Sequence, residues 1–192
     1  ARGYPVSVVT RDYGQPDGVE IDGITVHRTC RPDAGLPGLR YFHPRLSSLW
    51  AALGRADADV YYTSCAGMVV GVVAEFARQR GRRVVFRIAH DTDCDPRQVL
   101  IKYARDKKIY AHGLRKAHVV LAQSEQQVAA LRANYGVEST IARMLVEPQQ
   151  RHLGFADRDV DVLWVNNLRP FKRPDLAVDL AALLPGFSVH MI

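Results

Sequence analysis

The 192-residue chain has only three cysteines, Cys30, Cys65 and Cys94, with no CxxC pair among them. That excludes a disulfide framework and a zinc knuckle, and it points to a reducing compartment, so the expected location is cytoplasmic. No apolar run approaches the roughly 20 residues needed to span a bilayer, and the opening "ARGYPVSVVT" lacks the basic-then-apolar pattern of a signal peptide. Aromatics, 8% of the residues, do not interleave with basic residues as in a single-strand binding groove, so no nucleic-acid partner is expected. No G-x-G-x-x-G joins a strand to a helix, which weakens a nicotinamide-dependent oxidoreductase, and no G-x-S-x-G elbow or recognisably spaced Ser-His-Asp set appears.

What is present is an ordinary globular composition, 47% apolar and 24% charged, with a net charge of +6. The charge is uneven. Between Arg97 and Lys116 stand Arg97, Lys102, Arg105, Lys107, Lys108, Arg115 and Lys116 against one acid, Asp106. Such a segment is either a solvated helix face or a contact for an anionic surface.

Short β-branched runs alternate with segments of helical period, the signature of β–α–β units and a largely parallel sheet. Strands are expected at 6–10, 24–29, 59–64, 83–89, 118–123, 139–145, 161–167 and 189–192. Helices are expected at Pro44–Arg55, Gly67–Arg80, Gln98–Ala117 and Ser124–Tyr135, the last with a serine N-cap and Gly136 beyond its end. Gly3 reads as the C-cap of a helix ending there, and Gly67 and Gly71 as allowances for close helix–sheet packing. The polar stretch "VEPQQRHLGFADRD" interrupts the alternation as linkers do. The expected architecture is therefore α/β with two Rossmann-like domains, 1–147 and 161–192, joined by a linker at 148–160, the second domain truncated.

The segment "DVLWVNNLRPFKRPDLAVDLAALLP" (161–185) is a buried strand, a short loop and an amphipathic helix. Its helix opens at Lys172-Arg173-Pro174, with proline where the missing N–H is not needed. Amide groups and the positive end of the dipole beside Lys172, Arg173 and Arg169 suit phosphate, and a solvated basic turn is the alternative. Asn166 and Asn167 end the strand, where ligands of open parallel sheets collect.

This segment resembles the first strand–loop–helix of the nucleotide-binding domain of retaining family 4 glycosyltransferases (GT-B fold), whose usual form is V-G-R-L-x-P-x-K. Leu168, Pro170 and Lys172 match that pattern, while Asn166 replaces the usual glycine and Asn167 the usual arginine. The resemblance implies that Lys172 pairs with the diphosphate of a nucleotide-sugar donor, and that Arg169 or Arg173 supplies the charge missing at Asn167. The stretch 113–140 resembles the family's helix, buried strand and serine-capped helix before the linker, and "ARGYPVSVVT" the end of its first helix and its second strand. By the same resemblance the family's first strand and glycine-rich loop would precede Ala1 and its E-x7-E segment would follow Ile192, so a fragment without transfer activity is expected.

On this fold "RVVFRIAHDTDCDP" is a strand delivering His90 and Asp91 as catalytic-side residues that orient an acceptor hydroxyl, the acceptor being carbohydrate or lipid-linked. The competing readings are Asp91-Thr92-Asp93 as a D-x-D divalent-ion motif and a zinc site through His90 and Cys94. The two-domain fold implies a metal-independent enzyme without a cofactor, and Cys94 reads as a half-buried packing residue. The basic segment Arg97–Lys116 would then meet anionic lipid, making the protein peripheral at the inner face of the membrane. The rival function is a non-catalytic two-lobed α/β ligand- or nucleotide-binding protein.

Overall fold

The structure, a computed structural model, describes residues 3–143, 154 and 157–192. The chain divides into two compact units, Ala1–Met144 and Leu145–Ile192. The expected linker at 148–160, the end of the strand expected at 139–145 and the helical turn expected before Gly3 fall wholly or partly outside the described residues.

The first unit holds two sheets. In one, β1 (Val6–Thr10) pairs in parallel with β3 (Ile24–Arg28), which pairs antiparallel with β2 (Val19–Ile21). The other is a four-stranded parallel sheet in the order β4 (Val60–Ser64), β5 (Arg83–Arg87), β6 (Val119–Ala122) and β7 (Thr140–Ile141). Helices α1 (Ser47–Ala56), α2 (Met68–Gln79), α3 (Ala104–Lys116) and α4 (Glu125–Tyr135) make the crossovers. This is the α/β architecture that the alternation implies.

The core lies between the four-stranded sheet and helices α2, α3 and α4. On β5 and just beyond it, Val84, Phe86 and Ile88 are completely buried, the period-two face of a strand packed on helices. Tyr110 and Leu114 of α3 and Val70 of α2 close over Phe86 and Ile88, and Phe76 of α2 stacks edge-on against Tyr61 and Trp50. Helices α2 and α3 meet through glycines: a Cβ on Gly113 would stand 2.5 Å from the Gly71 nitrogen. Gly71 therefore serves helix–helix contact, not the helix–sheet packing expected, and Gly67 has open space around it.

Three further points differ from expectation. Strand β2 was not anticipated, yet Asp22-Gly23 joins it to β3 with positive φ at both residues (50° and 77°), the two-residue turn that asparagine- or aspartate-glycine favours. The helix expected from Gln98 begins only at Ala104, because Asp95 folds residues 95–99 into a turn. The Asp95 carboxylate accepts the Arg97 N–H at 2.8 Å, its carbonyl accepts the Val99 N–H at 2.9 Å, and Tyr103 is extended. Likewise the helix expected from Pro44 is regular only from Ser47, since the turn Tyr41–Leu46 is broken by an extended His43.

The second unit pairs β8 (Val162–Trp164) in parallel with β9 (Val189–Met191), connected through α5 (Pro174–Leu183).

Candidate functional site

At the C-terminal end of β5 the chain turns at His90 into a short 3₁₀ turn, Asp91–Cys94. The three acids of this stretch have different duties. Asp93 is buried, and its carboxylate accepts the backbone N–H groups of Ala89 (3.3 Å) and His90 (3.1 Å), while its carbonyl accepts the hydroxyl of buried Tyr110 (3.0 Å). Asp95 is also buried and is satisfied by the Arg97 N–H, the Arg97 guanidinium and the Gln98 amide (3.0 Å). The Arg97 backbone N–H, followed by its guanidinium, holds the Asp95 carboxyl below the usual carboxylate range. Both acids therefore stabilise the turn itself.

Asp91 and His90 are exposed. The Asp91 carboxylate accepts the side-chain amide of Gln127 at 2.8 Å. Nδ1 of His90 accepts the Thr92 N–H at 3.3 Å and lies 3.0 Å from the Thr92 hydroxyl. An accepting Nδ1 carries no proton, so the neutral ring carries its proton on Nε2.

Gln127 is the link that the sequence reading missed. It sits in the first turn of α4, buried, with its N–H donated to the Ser124 hydroxyl (3.2 Å) and its side-chain oxygen accepting the Gln123 N–H (2.8 Å). Gln123 in turn donates to the Ile88 carbonyl (2.9 Å). The ends of β5 and β6 are thus tied together and Asp91 is aimed by a buried amide. The signal was in "SEQQ", a serine cap followed three residues later by glutamine, the spacing of a capping box.

Cys94 is fully buried, and burial first, then the charges of Asp93 and Asp91, pushes its thiol up to about 12. It packs as a small hydrophobe. Asp93 faces its own backbone and Asp91 faces Gln127, so the D-x-D acids do not converge, and among the described residues no three His, Cys, Asp or Glu side chains form a ligand set.

In the second unit the turn between β8 and α5 is held by its own backbone. Asn166 N–H donates to the Ile192 carbonyl (2.9 Å), Arg169 N–H to the Asn167 carbonyl (2.7 Å) and Lys172 N–H to the Arg169 carbonyl (2.8 Å). Asn166, Asn167, Arg169, Lys172 and Arg173 are all exposed. Arg173 takes a left-handed conformation (φ 53°) and its guanidinium grips Asp175, with Nη2 2.6 Å from Oδ2 and Nε 3.1 Å from Oδ1. That pair, foremost, keeps the Asp175 carboxyl below its usual range, and the backbone N–H groups of Asp175 and Leu176 assist. The helix N-terminus expected to present open amides is therefore already served by its own acid, and the charge of Arg173 is compensated locally. The Arg169 side chain makes no hydrogen bond or ion pair among the described residues.

The basic segment is not one continuous helical face. Arg97 is held by Asp95, Lys107 Nζ reaches the Pro96 carbonyl (3.4 Å), and Arg115 reaches the Tyr135 carbonyl (3.3 Å). Arg105 pairs with Asp106 (2.8 Å) and stacks 3.4 Å over the ring of Tyr41. Beside it a groove of about 450 Å³ runs past Tyr41, Trp50, Val72 and Ile109. No helix among the described residues is long and apolar enough to cross a membrane.

The chain matches none of the curated proteins compared with it. The profile of the glycosyl transferase 4-like domain matches residues 1–148, more than three quarters of the sequence and all of the described part of the first unit. With parallel β–α–β topology and ligand-type side chains gathered at the C-terminal strand ends, the chain belongs to the glycosyl transferase 4-like domain family.

Proposed function

We propose that the chain belongs to a retaining glycosyltransferase that moves a sugar from a nucleotide-activated donor to the hydroxyl of a carbohydrate or lipid-linked acceptor. The observation that carries this reading is the turn Asn166–Arg173, which puts Lys172 and Arg169 between a parallel strand and the start of a helix. In sugar transfer from a nucleotide diphosphate, negative charge grows on the leaving diphosphate as the glycosidic bond to it breaks. Fixed cations at that position lower the barrier because they are placed before the charge develops. Lys172 fills that role in the proposal. Arg169 replaces the arginine absent at Asn167, because Arg173 is engaged by Asp175. Asn166 and Asn167 offer amide donors to the same oxygens.

His90 and Asp91 act on the acceptor side. Asp91, aimed by Gln127, accepts a hydrogen bond from an acceptor hydroxyl, and His90 donates from Nε2. In this proposal the steps run through these side chains without a metal.

Titration calorimetry with uridine, guanosine and adenosine diphosphates tests the donor side. One of them should bind saturably, and Lys172→Ala should weaken it about 10-fold to 100-fold, the worth of a charge-assisted hydrogen bond of about 1.5–3 kcal/mol. An unchanged affinity in Lys172→Ala, or saturable binding of none of the three, would overturn the reading.

A further inference from the structure

The groove of about 450 Å³ between α1, α2 and α3 has no part in the sugar transfer proposed above. Tyr41, Leu46, Trp50, Val72 and Ile109 give it apolar walls, and its volume falls within the range of about 300–1,000 Å³ usual for small-molecule sites. Its base is closed. Gly71, also in the lining, meets the Ile109 carbonyl so closely that a Cβ there would overlap it, and α2 and α3 leave no gap beneath. The one acid of the lining, Glu75, is occupied by the Arg78 guanidinium (2.6 and 3.0 Å) and the Gln79 amide (2.9 Å). Lys108, on the opposite wall, has no ion pair among the described residues.

Two segments far apart in sequence meet at this groove. The guanidinium of Arg105, which shares its charge with Asp106, lies 3.4 Å over the ring of Tyr41, and Phe42 stands edge-on to that ring at 5.0 Å. On the Tyr41 side Leu36, Leu39 and Phe42, and on the Arg105 side Leu100 and Tyr103, are 55–73% exposed. Cations stand among them. Lys102 lies 5.5 Å over the ring of Tyr103, and Arg105 and Lys108 follow at intervals of three residues. Exposed leucines and aromatics beside lysine and arginine are the composition of a surface that enters the interface of an anionic bilayer. Long basic side chains suit that position, because their stems lie along apolar surface while their charges stay at headgroup level.

We propose that the groove is a binding site for one acyl chain of an anionic lipid, with Lys102, Arg105 and Lys108 on the lipid headgroups and the exposed apolar side chains in the bilayer interface. Charge complementarity selects this occupant. A second copy of the chain on the same face would set these cations against their own counterparts, and like charges brought together oppose docking. Leu36, Leu39 and Leu100 offer no flat ring on which a nucleic-acid base could stack, whereas an acyl chain needs only apolar contact. The inference does not rest on the sugar-transfer reading, since it uses no residue of the candidate site.

The test reads Trp50, which lines the groove and is the sole tryptophan of the Trp164→Phe chain. Vesicles of equal parts phosphatidylglycerol and phosphatidylcholine, with bromine on their acyl chains as a contact quencher of indole, should quench its emission saturably. Trp164 in the Trp50→Phe chain should be quenched far less. Pure phosphatidylcholine vesicles should bind the unsubstituted chain at least about 10-fold more weakly in co-sedimentation, and Lys102→Ala with Lys108→Ala should weaken binding to the mixed vesicles by about 10-fold or more. Binding to the mixed vesicles without quenching of Trp50 would overturn the proposal, as would equal binding to both vesicle types or binding to neither. So would Trp50 emission that follows protein concentration and not lipid, since it would assign the groove to a second copy of the chain.

Discussion

The two units hold their candidate residues by different means. In the first, His90 and Asp91 stand at the end of a strand whose Val84, Phe86 and Ile88 are completely buried, and a buried glutamine sets the Asp91 carboxylate. In the second, Ala177 is the one buried apolar residue among those described, and Leu163, Val165, Leu168, Val178 and Leu183 are more than half exposed. There the turn Asn166–Arg173 is shaped by its own backbone hydrogen bonds and by the Arg173–Asp175 pair. Positions in the first unit are therefore inherited from packing, and positions in the second from local electrostatics. Packing resists salt and pH, whereas an exposed ion pair does not.

The largest effect that would sharpen this contrast is a cavity in the first unit. Phe86→Ala removes a completely buried ring stacked edge-on against Tyr110 and should cost about 3–5 kcal/mol. Leu163→Ala, at a side chain 55% exposed in β8, should stay within about 0.5 kcal/mol. The chain's two tryptophans separate the readouts, because Trp50 lies in the first unit and Trp164 in the second. Denaturant titrations of Trp50→Phe and Trp164→Phe backgrounds should show the midpoint of the Trp50 signal falling steeply in Phe86→Ala. Comparable shifts from Phe86→Ala and Leu163→Ala, each in its own unit's signal, would break the comparison.

A smaller loss is expected where helices α2 and α3 touch. The methyl of Gly113→Ala would meet the backbone of Gly71, which cannot swing aside as a side chain can. Separation of the helices should cost about 1–3 kcal/mol, seen as a lower thermal midpoint by circular dichroism. Gly67→Ala, with open space around it, serves as the control. A neutral Gly113→Ala would mean that the helices adjust without loss.

These differences also explain what could be read beforehand. Strands β1, β3, β4, β5 and β6 were legible to within two residues because burial of one face imposes alternation that local sequence records. The boundary of α3 was not, since residues 98–103 have helical spacing but are diverted by the carboxylate of Asp95. The Gly71–Gly113 contact joins positions 42 residues apart and leaves no local trace. At the site, His90 and Asp91 were placed correctly at a strand end by topology, while the partition of Asp91, Asp93 and Asp95 into one exposed and two buried acids depends on which backbone N–H groups each can reach. Arg173 looked like a phosphate ligand because charge is visible in a sequence and the partner two residues away, Asp175, was not weighed against it.

The smallest effect separates the units by salt. Asp95 and Asp175 both titrate below the usual 3.8. Each therefore adds stability that is complete above the unfolded value and is lost as pH falls through the lower folded one. The leading causes differ: a backbone N–H from Arg97 for Asp95, and the side chain of Arg173 for Asp175. Their exposures differ too, 11% for the Asp95 side chain and 54% for that of Asp175. Carboxyl-carbon NMR titrations at low salt and at about 1 M salt, where screening acts within about 3 Å, should return Asp175 toward the usual range and leave Asp95 depressed. Arg173→Ala should do the same to Asp175 without salt. Arg97→Ala should leave much of the Asp95 depression in place, because the substitution keeps the donating N–H. If Asp95 instead follows the salt and Asp175 does not, it is the first unit whose site rests on an exposed ion pair.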